Sequence, residues 1–302
     1  MNTFNQKAKR IRHTRFSQNR TWITLVAVGC WALSVSAQTP EENLIHATFK
    51  IFNVTNAGTG FLLLDPAPGA SPTNVILVTA AHVFTRAAGE YIQLICRTED
   101  ETDGWKRYDH KIAIRDINTN ALWTAHHTQD VAVLRCTLPP HVKFSALPLS
   151  AIATEAGAKE AGLTAGTRLF YAGFPHRLES NSAAFPLLRD AMVTAFPLFP
   201  VSRYPTPFMT APTFAGDSGA PVAMRQPDTA TPLVVGLVVT RTRKTEKLST
   251  DEFSIQFKRD LNLGSFVQAE FIHETLNILL RGLKVGDKDT RPLTDDNEKE
   301  EQ

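Results

Sequence analysis

The chain has 302 residues, of which 43% are hydrophobic and 21% charged, a composition typical of a packed globular protein of about two domains. Its formal net charge is +2, but residues 1–37 carry six basic and no acidic residues, which leaves −4 for the remainder. A mildly acidic body argues against a nucleic-acid binder held by phosphate contacts. Three cysteines exclude a disulfide-rich scaffold and a four-cysteine zinc site.

The first 37 residues have the pattern of a secretory signal peptide. Basic residues precede an apolar run from about Trp22 to Leu33, and Val35-Ser36-Ala37 supplies the small residues that signal peptidase requires. The apolar run is shorter than the roughly 20 residues that span a bilayer, which favours cleavage before Gln38 over retention as an anchor. We therefore expect an exported protein, periplasmic or secreted, with no stable membrane insertion after cleavage.

Short apolar runs separated by turn signals fill the middle of the chain. The candidate strands are Ala47–Val54, Gly60–Leu64, Val75–Val78, Tyr91–Cys96, Lys111–Ile114, Val131–Leu134, Arg168–Gly173, Leu188–Phe196, Pro221–Met224 and Leu233–Thr240. Strands this short and closely spaced indicate antiparallel sandwiches or barrels. No helix follows each strand, which argues against a doubly wound parallel sheet.

The end of the chain has a different pattern. Apolar residues recur at helical spacing between Gly264 and Leu283, which predicts an amphipathic helix that packs on the sheets. Residues 285–302 are polar and net acidic without apolar periodicity, which predicts a disordered tail.

Three local sequences contain the residue types of a nucleophilic site. They are Leu77-Val78-Thr79-Ala80-Ala81-His82-Val83, Gln129-Asp130-Val131-Ala132-Val133-Leu134 and Phe214-Ala215-Gly216-Asp217-Ser218-Gly219-Ala220-Pro221-Val222. A serine hydroxyl is a weak nucleophile unless a base accepts its proton, and histidine suits that task because its pKa lies near neutrality. A carboxylate must in turn hold the imidazole in one tautomer. His82, Asp130 and Ser218 are the candidates for base, carboxylate and nucleophile.

The turn around Ser218 also offers a candidate oxyanion hole. Gly216 and Gly219 allow a tight turn and the close approach of a substrate carbonyl to the backbone. The backbone N–H groups of Gly216 and Ser218 are the candidate donors to the developing oxyanion.

These segments resemble the three catalytic motifs of the trypsin-like (chymotrypsin-fold) serine proteases. The order His, Asp, Ser matches that family, and the separations of 48 residues from His82 to Asp130 and 88 from Asp130 to Ser218 are similar to those of its members. Gly58-Thr59-Gly60-Phe61-Leu62 resembles the glycine-containing strand of bacterial members. The resemblance covers about residues 43–284.

The resemblance implies an all-β fold of two six-stranded antiparallel β-barrels with a C-terminal α-helix, within a protease domain of residues 38–284. The first barrel would comprise about residues 43–150, the second about 166–263, and the helix 264–283. His82 and Asp130 would come from the first barrel and Ser218 from the second, with a peptide bound between them as an added strand. The implied activity is that of an exported serine endopeptidase acting on peptides or proteins through an acyl-enzyme, without a cofactor or metal.

Substrate preference and activation follow from the same resemblance. Pro212 aligns with the floor of the primary specificity pocket, and Val239, Thr240 and Arg241 align with one wall. No carboxylate stands at the floor position, so a small or apolar side chain is expected rather than Lys or Arg, with an acidic one favoured by Arg241 as the alternative. In family members made as zymogens, cleavage frees a new Ile or Val N-terminus that pairs with the aspartate before the serine. No Ile-Val-Gly-Gly-like segment occurs near residues 38–52, so this type of activation is not expected here. Asp217 is instead expected to pair with another group or to cap the turn.

One alternative can be excluded at this point, and several remain open. An α/β-hydrolase is excluded because Ala220 replaces the last glycine of its serine motif and the histidine and carboxylate precede the serine. A catalytically silent peptide-binding module on the same scaffold and a serine esterase-like hydrolase stay as alternatives.

His126 and His127 are interpreted as loop residues, because neighbours on an extended segment point in opposite directions. Cys96 and Cys136 are both predicted to point inward, as one disulfide or as two separate thiols.

Overall fold

Strands between Thr48 and Thr137 form one antiparallel sheet. The computed structural model describes residues 38–102, 104–249 and 254–282, with side chains for all of these except residues 240–244, 246, 248 and 257–260. The first sheet comprises β1 (Thr48–Phe52), β2 (Ala57–Leu64), β3 (Asn74–Thr79), β4 (Tyr91–Asp100), β5 (Gly104–Ala113), β6 (Thr124–Ala125) and β7 (Ala132–Thr137). Their order across the sheet is β5-β4-β1-β2-β3-β7-β6, and every pairing is antiparallel.

Strands between Arg168 and Gln268 form another antiparallel sheet. It comprises β8 (Arg168–Gly173), β9 (Leu187–Met192), β10 (Phe208–Met209), β11 (Pro221–Met224), β12 (Leu233–Ser249) and β13 (Ser254–Gln268). The order is β10-β13-β12-β11-β8-β9. Strands β12 and β13 pair along a long hairpin, from Gly236↔Gln268 to Ser249↔Ser254, that continues well past the other strands.

In the described part of the chain, four α-helices accompany the sheets: α1 (Pro40–Ala47), α2 (Ala81–Thr85), α3 (Glu155–Glu160) and α4 (Ala269–Arg281). Two antiparallel sheets followed by a C-terminal helix confirm the predicted all-β, chymotrypsin-like architecture. The predicted count of six strands holds for the second sheet but is wrong for the first, which has seven. The extra strand is the two-residue β6, which pairs with Ala132 and Val133 of β7.

The terminal helix begins at Ala269 rather than at the predicted Gly264. Residues 264–268 are the last part of β13, where Gly264 and Ser265 pair with both β10 and β12. Phe266 and Val267 are buried as strand residues, and their apolar side chains extend the helical periodicity of the sequence by coincidence. The predicted signal peptide at 1–37 and the predicted acidic tail at 285–302 lie outside the described residues.

A continuous hydrophobic core includes residues of both sheets and fixes the strand ends near the candidate site. In β3, five of the six residues are buried, and so are Ala132, which opens β7, and Val131 directly before it. Burying one such aliphatic side chain contributes about 1.5–3 kcal/mol, so strands of this kind have well-defined end points. The loops that leave these two neighbouring strands therefore begin from rigid positions.

The cysteines of the first sheet form no disulfide. Cys96 is fully buried, as predicted, whereas Cys136 is partly exposed, and both are free thiols. Burial of each sulfur raises its pKa to about 12, so both are protonated at neutral pH. The open alternative between one disulfide and two thiols is thereby resolved in favour of two thiols.

Candidate active site

His82 lies just beyond the end of β3, on the single turn of α2. Its imidazole Nδ1 lies 2.5 Å from Oδ2 of Asp130, and its backbone N–H donates to Oδ1 of the same carboxylate at 2.9 Å. The carboxylate therefore holds both the ring and the backbone of His82. Because a carboxylate can only accept, Nδ1 carries the proton and Nε2 is left as the basic nitrogen of the neutral ring.

Asp130 lies in the loop between β6 and β7 and is half-buried beside His82. Burial alone would raise the pKa of its carboxyl, but the hydrogen bonds from His82 and the charge of Arg86 outweigh burial, and the pKa lies below its ordinary value. Asp130 is thus a stable anion at neutral pH. An anion in contact with Nδ1 stabilises the imidazolium that forms when Nε2 takes up a proton.

Ser218 lies in a turn between β10 and β11 whose shape requires two glycines. Gly216 and Gly219 have φ of +102° and +88°, in the region that side chains disfavour. A Cβ at Gly216 would lie 2.2 Å from the Phe174 carbonyl oxygen, and one at Gly219 would lie 2.1 Å from the Thr59 carbonyl oxygen. Both positions therefore exclude any larger residue.

Thr59 of β2 fastens this turn to the first sheet. Its N–H donates to the Ser218 carbonyl at 2.9 Å, and its hydroxyl donates to the Gly216 carbonyl at 2.7 Å. On the other side, the Gly219 N–H donates to the Val238 carbonyl of β12 at 2.7 Å. The serine turn is thus joined to β2 of the first sheet and to β12 of the second.

The backbone N–H groups of Gly216 and Ser218 donate to no partner among the described residues. The preceding carbonyl, that of Ala215, accepts from the N–H of His176 at 2.6 Å. In a trans peptide the C=O and N–H point in opposite directions, so the Gly216 N–H points away from His176. His176 itself has φ of +51°, an uncommon conformation for a non-glycine residue.

Asp217 pairs with a side chain from the second sheet. It is fully buried, its Oδ1 contacts Nη2 of Arg189, and its Oδ2 accepts from the Phe214 N–H at 2.8 Å. Burial raises the pKa of its carboxyl, against the opposing effect of Arg189. The expectation that Asp217 pairs with a group other than a new N-terminus agrees with this contact, and the bond to Phe214 also caps the turn.

His82, Asp130 and Ser218 line one cleft of about 380 Å³. Its other lining residues are Asn56, Ala57, Arg86, Thr213, Phe214, Ala215, Gly216, Val238 and Val239. Among the described residues, no hydrogen bond joins the Ser218 hydroxyl to His82. A larger cavity of about 610 Å³ lies beside α3 and α4 and contains none of the three groups, so volume alone does not locate the chemistry.

The predicted specificity residues are only partly in this cleft. Val239 lines it, but Pro212 does not; the Pro212 carbonyl accepts from the Tyr171 hydroxyl at 3.2 Å and from Nη1 of Arg189 at 3.4 Å. Thr213 and Phe214 line the cleft in its stead. Thr240 and Arg241 belong to β12, but their side chains are outside the described part of the structure.

Three residues near the site were not identified from the sequence as acting on it. Arg86 lines the cleft, Arg189 pairs with Asp217, and Glu274 of α4 contacts His126. A lone charged residue on a strand or helix has no local pattern that reveals its partner. A buried aspartate beside a serine motif does, however, require a cation, and this was the available signal for Arg189.

Residues 58–228, more than half of the chain, match the profile of the trypsin-like peptidase domain. The chain therefore belongs to the trypsin-like peptidase family, and it is a serine-type peptidase. Two solved structures are similar to it: an inactive form of a serine-to-alanine mutant of Rv3671c from M. tuberculosis H37Rv (17% identity, 80% of this chain and 91% of that chain, TM-score 0.44) and an inactive form of the Rv3671c protease (18%, 78% and 89%, TM-score 0.41). No curated protein gives a significant match.

Within the described residues, none of the helices is both long and apolar enough to cross a membrane.

Proposed function

We propose that the chain is an exported endopeptidase that cleaves peptide bonds through an acyl-enzyme on Ser218, with His82 and Asp130 completing a triad. The observation that carries the proposal is the two-point hold of Asp130 on His82, at 2.5 Å and 2.9 Å, in the same cleft as Ser218. That hold leaves Nε2 as the only basic nitrogen of the neutral imidazole.

In the acylation step, the Ser218 oxygen attacks the scissile carbonyl carbon while His82 Nε2 takes the hydroxyl proton. The resulting imidazolium lies against the Asp130 anion. It then gives the proton to the leaving amine, which departs and leaves an ester on Ser218. Water attacks this ester in the second step, with His82 again acting first as base and then as acid.

The tetrahedral intermediates place negative charge on the former carbonyl oxygen. We assign its stabilisation to the N–H groups of Gly216 and Ser218, which have no described protein partner. The bond from His176 to the Ala215 carbonyl supports this assignment, because it fixes the orientation of the Ala215–Gly216 peptide before a substrate arrives. Donors fixed in advance cost no reorganisation during the reaction.

The lining of the cleft favours a small or apolar side chain next to the scissile bond. Asp130 is the only carboxylate among the described lining residues, and His82 already engages it. A Lys or Arg side chain would therefore find no unpaired anion there. Val238 and Val239 of β12 add two apolar residues to the lining of this cleft.

Export rests on the sequence of residues 1–37, with its basic segment, apolar run and Val35-Ser36-Ala37. Expression of the full chain in a bacterium, followed by cell fractionation and N-terminal sequencing, tests it. A mature chain that begins at Gln38 outside the cytoplasm supports export. An intact chain that stays in the cytoplasm contradicts export, and an uncleaved chain in the membrane supports the anchor alternative.

A fluorophosphonate probe tests the chemistry, since it labels a serine only when that serine is activated. Wild-type protein should be labelled at Ser218, and Ser218→Ala should abolish the label. A folded wild type that resists labelling contradicts the proposal and supports a silent binding module. A library of peptides and small esters then separates an endopeptidase from an esterase, because ester cleavage with no peptide cleavage would favour the latter.

A further inference from the structure

His126 lies four residues before Asp130 and is held from two sides. Its side chain is only 1% exposed. Nδ1 accepts from the backbone N–H of Gln129 at 3.0 Å and of Thr128 at 3.2 Å, while Nε2 lies 2.8 Å from Oε2 of Glu274 on α4. The ring also contacts Phe271 of the same helix edge-on, with centroids 5.3 Å apart.

These contacts fix the tautomer of His126. Backbone N–H groups only donate, so Nδ1 must be the acceptor and Nε2 must carry the proton that goes to Glu274. Burial lowers the pKa of His126 despite the opposing effect of Glu274, and the neighbouring His127 lowers it further. His126 is therefore neutral at pH 7, which preserves the acceptor at Nδ1.

The bonds to Nδ1 organise the short loop that carries Asp130. The loop runs from His126 to Val131, and its ends meet where the His126 N–H donates to the Val131 carbonyl at 3.0 Å. The His126 ring therefore lies inside a closed turn, bonded to Thr128 and Gln129, the two residues directly before Asp130.

We propose that His126 is a positioning residue for the reaction: through Nδ1 it sets the backbone of Thr128 and Gln129, directly before Asp130, and through Nε2 it joins this loop to Glu274 of the terminal helix. The proposal rests on the triad proposed above, since Asp130 acts only through His82. The contact of Asp130 with His82 Nδ1 is short, so a small shift of the loop lengthens it. Misplacement of a catalytic group by about 1 Å can cost roughly 100-fold in rate.

Two substitutions of His126 separate its two contacts. His126→Asn keeps an acceptor oxygen near the position of Nδ1 but loses the reach to Glu274. His126→Gln reaches toward Glu274 with its amide but offers no acceptor at Nδ1. We expect His126→Gln to lower kcat by roughly 10- to 100-fold with KM unchanged, and His126→Asn to recover most of that loss. His141→Gln, at an exposed position that does not line the cleft, is the control and should behave as wild type.

The first measurement is kcat and KM, with the concentration of active sites determined by titration with the fluorophosphonate. The second is the far-downfield proton NMR signal of the hydrogen between His82 Nδ1 and Asp130. Positioning predicts that His126→Gln shifts or broadens this signal, whereas a purely structural role lowers only the unfolding temperature. If folded His126→Gln has the wild-type kcat and an unchanged NMR signal, the positioning role is overturned while the proposed function stands. A His126→Asn variant that is no better than His126→Gln would also overturn that role.

Glu274→Ala keeps the inference testable if His126→Gln does not fold, because Glu274 is 44% exposed and its loss is tolerable. Glu274→Ala should also lower kcat, by less than His126→Gln does, and should shift or broaden the same NMR signal. No change in either measurement would overturn the role of the helix. A folded wild type that the probe does not label would overturn the proposed function, and the inference with it.

Discussion

Arg189 and Asp217 form an ion pair next to Ser218, with the aspartate fully buried. The guanidinium of Arg189 also stacks on the Tyr171 ring at 4.4 Å and donates to the Pro212 carbonyl at 3.4 Å. The segment from Pro212 to Asp217 is therefore tied to β8 and β9 by a cation within the same chain. In family members made as zymogens, a newly formed N-terminus supplies that charge.

Removal of this cation should destabilise the fold. Arg189→Met leaves the Asp217 carboxylate buried without a counterion, and breaking a buried pair in this way costs about 3–5 kcal/mol. Urea unfolding of wild type and variant measures the difference. The Ser218 turn should also lose its geometry, so fluorophosphonate labelling should slow under conditions in which the variant remains folded.

The double variant Arg189→Met with Asp217→Asn is the matched control. It removes the buried charge together with its partner, so most of the lost stability should return. A single Arg189→Met variant as stable as wild type would show that the pair does not hold the turn. A double variant no more stable than the single one would point to the other contacts of Arg189, with the Tyr171 ring and the Pro212 carbonyl, as the main contribution.

The Thr59 hydroxyl offers a second test of the serine turn. Thr59→Val is nearly isosteric but removes the donor to the Gly216 carbonyl, and an unsatisfied buried acceptor costs about 1–3 kcal/mol. We expect the variant to lose stability in that range and to be labelled more slowly at Ser218. Thr59→Ser keeps the hydroxyl and should be labelled at nearly the wild-type rate. Equal behaviour of the two variants would contradict this role of the hydroxyl.

The sequence predicted those features that depend on local patterns. Strands Arg168–Gly173 and Pro221–Met224 have the predicted bounds, because apolar runs between turn residues determine them locally. The sequence analysis did not identify β13 as a strand, because the half of it that begins at Ser254 is polar and is ordered by pairing with β12. It also could not predict the contacts Arg189–Asp217 and His126–Glu274, which join residues 28 and 148 positions apart.

The pH dependence of stability should report on Asp130. Its pKa in the folded chain lies below the ordinary value, so its pairing with His82 stabilises the fold above the unfolded pKa. This contribution is lost as the pH falls through the folded pKa. The difference in unfolding free energy between wild type and Asp130→Asn should therefore shrink as the pH falls below about 5. A difference that grows over this acidic range would contradict the lowered pKa.

The same variant has a kinetic signature. Asparagine can donate as well as accept, so it no longer forces the proton onto Nδ1 of His82, and the basic nitrogen then faces away from Ser218. Substitutions of this kind have lowered kcat by about 10⁴-fold in a related triad. We expect Asp130→Asn to keep its fold and substrate affinity while peptide cleavage and fluorophosphonate labelling fall by that order. A loss of less than tenfold would show that Asp130 is not the orienting group.

Arg86 brings a positive charge to the cleft from the end of α2. It is exposed, it lines the cleft with His82 and Asp130, and its charge contributes to the lowered pKa of Asp130. Its guanidinium forms no hydrogen bond or ion pair among the described residues. A substrate carboxylate that reaches it therefore meets a guanidinium with which no other described side chain forms an ion pair.

This charge should make the enzyme tolerate acidic residues near the scissile bond. Peptides that differ only in Glu or Gln at one flanking position should give a higher ratio of kcat/KM, Glu over Gln, for wild type than for Arg86→Gln. The ratio should fall as salt rises from about 0.01 to 1 M, because screening shortens the reach of exposed charges from roughly 30 to 3 Å. Arg203→Gln, an exposed arginine that does not line the cleft, is the control and should keep the wild-type ratio. Identical ratios for wild type and Arg86→Gln at low salt, at every flanking position, would exclude Arg86 from substrate selection.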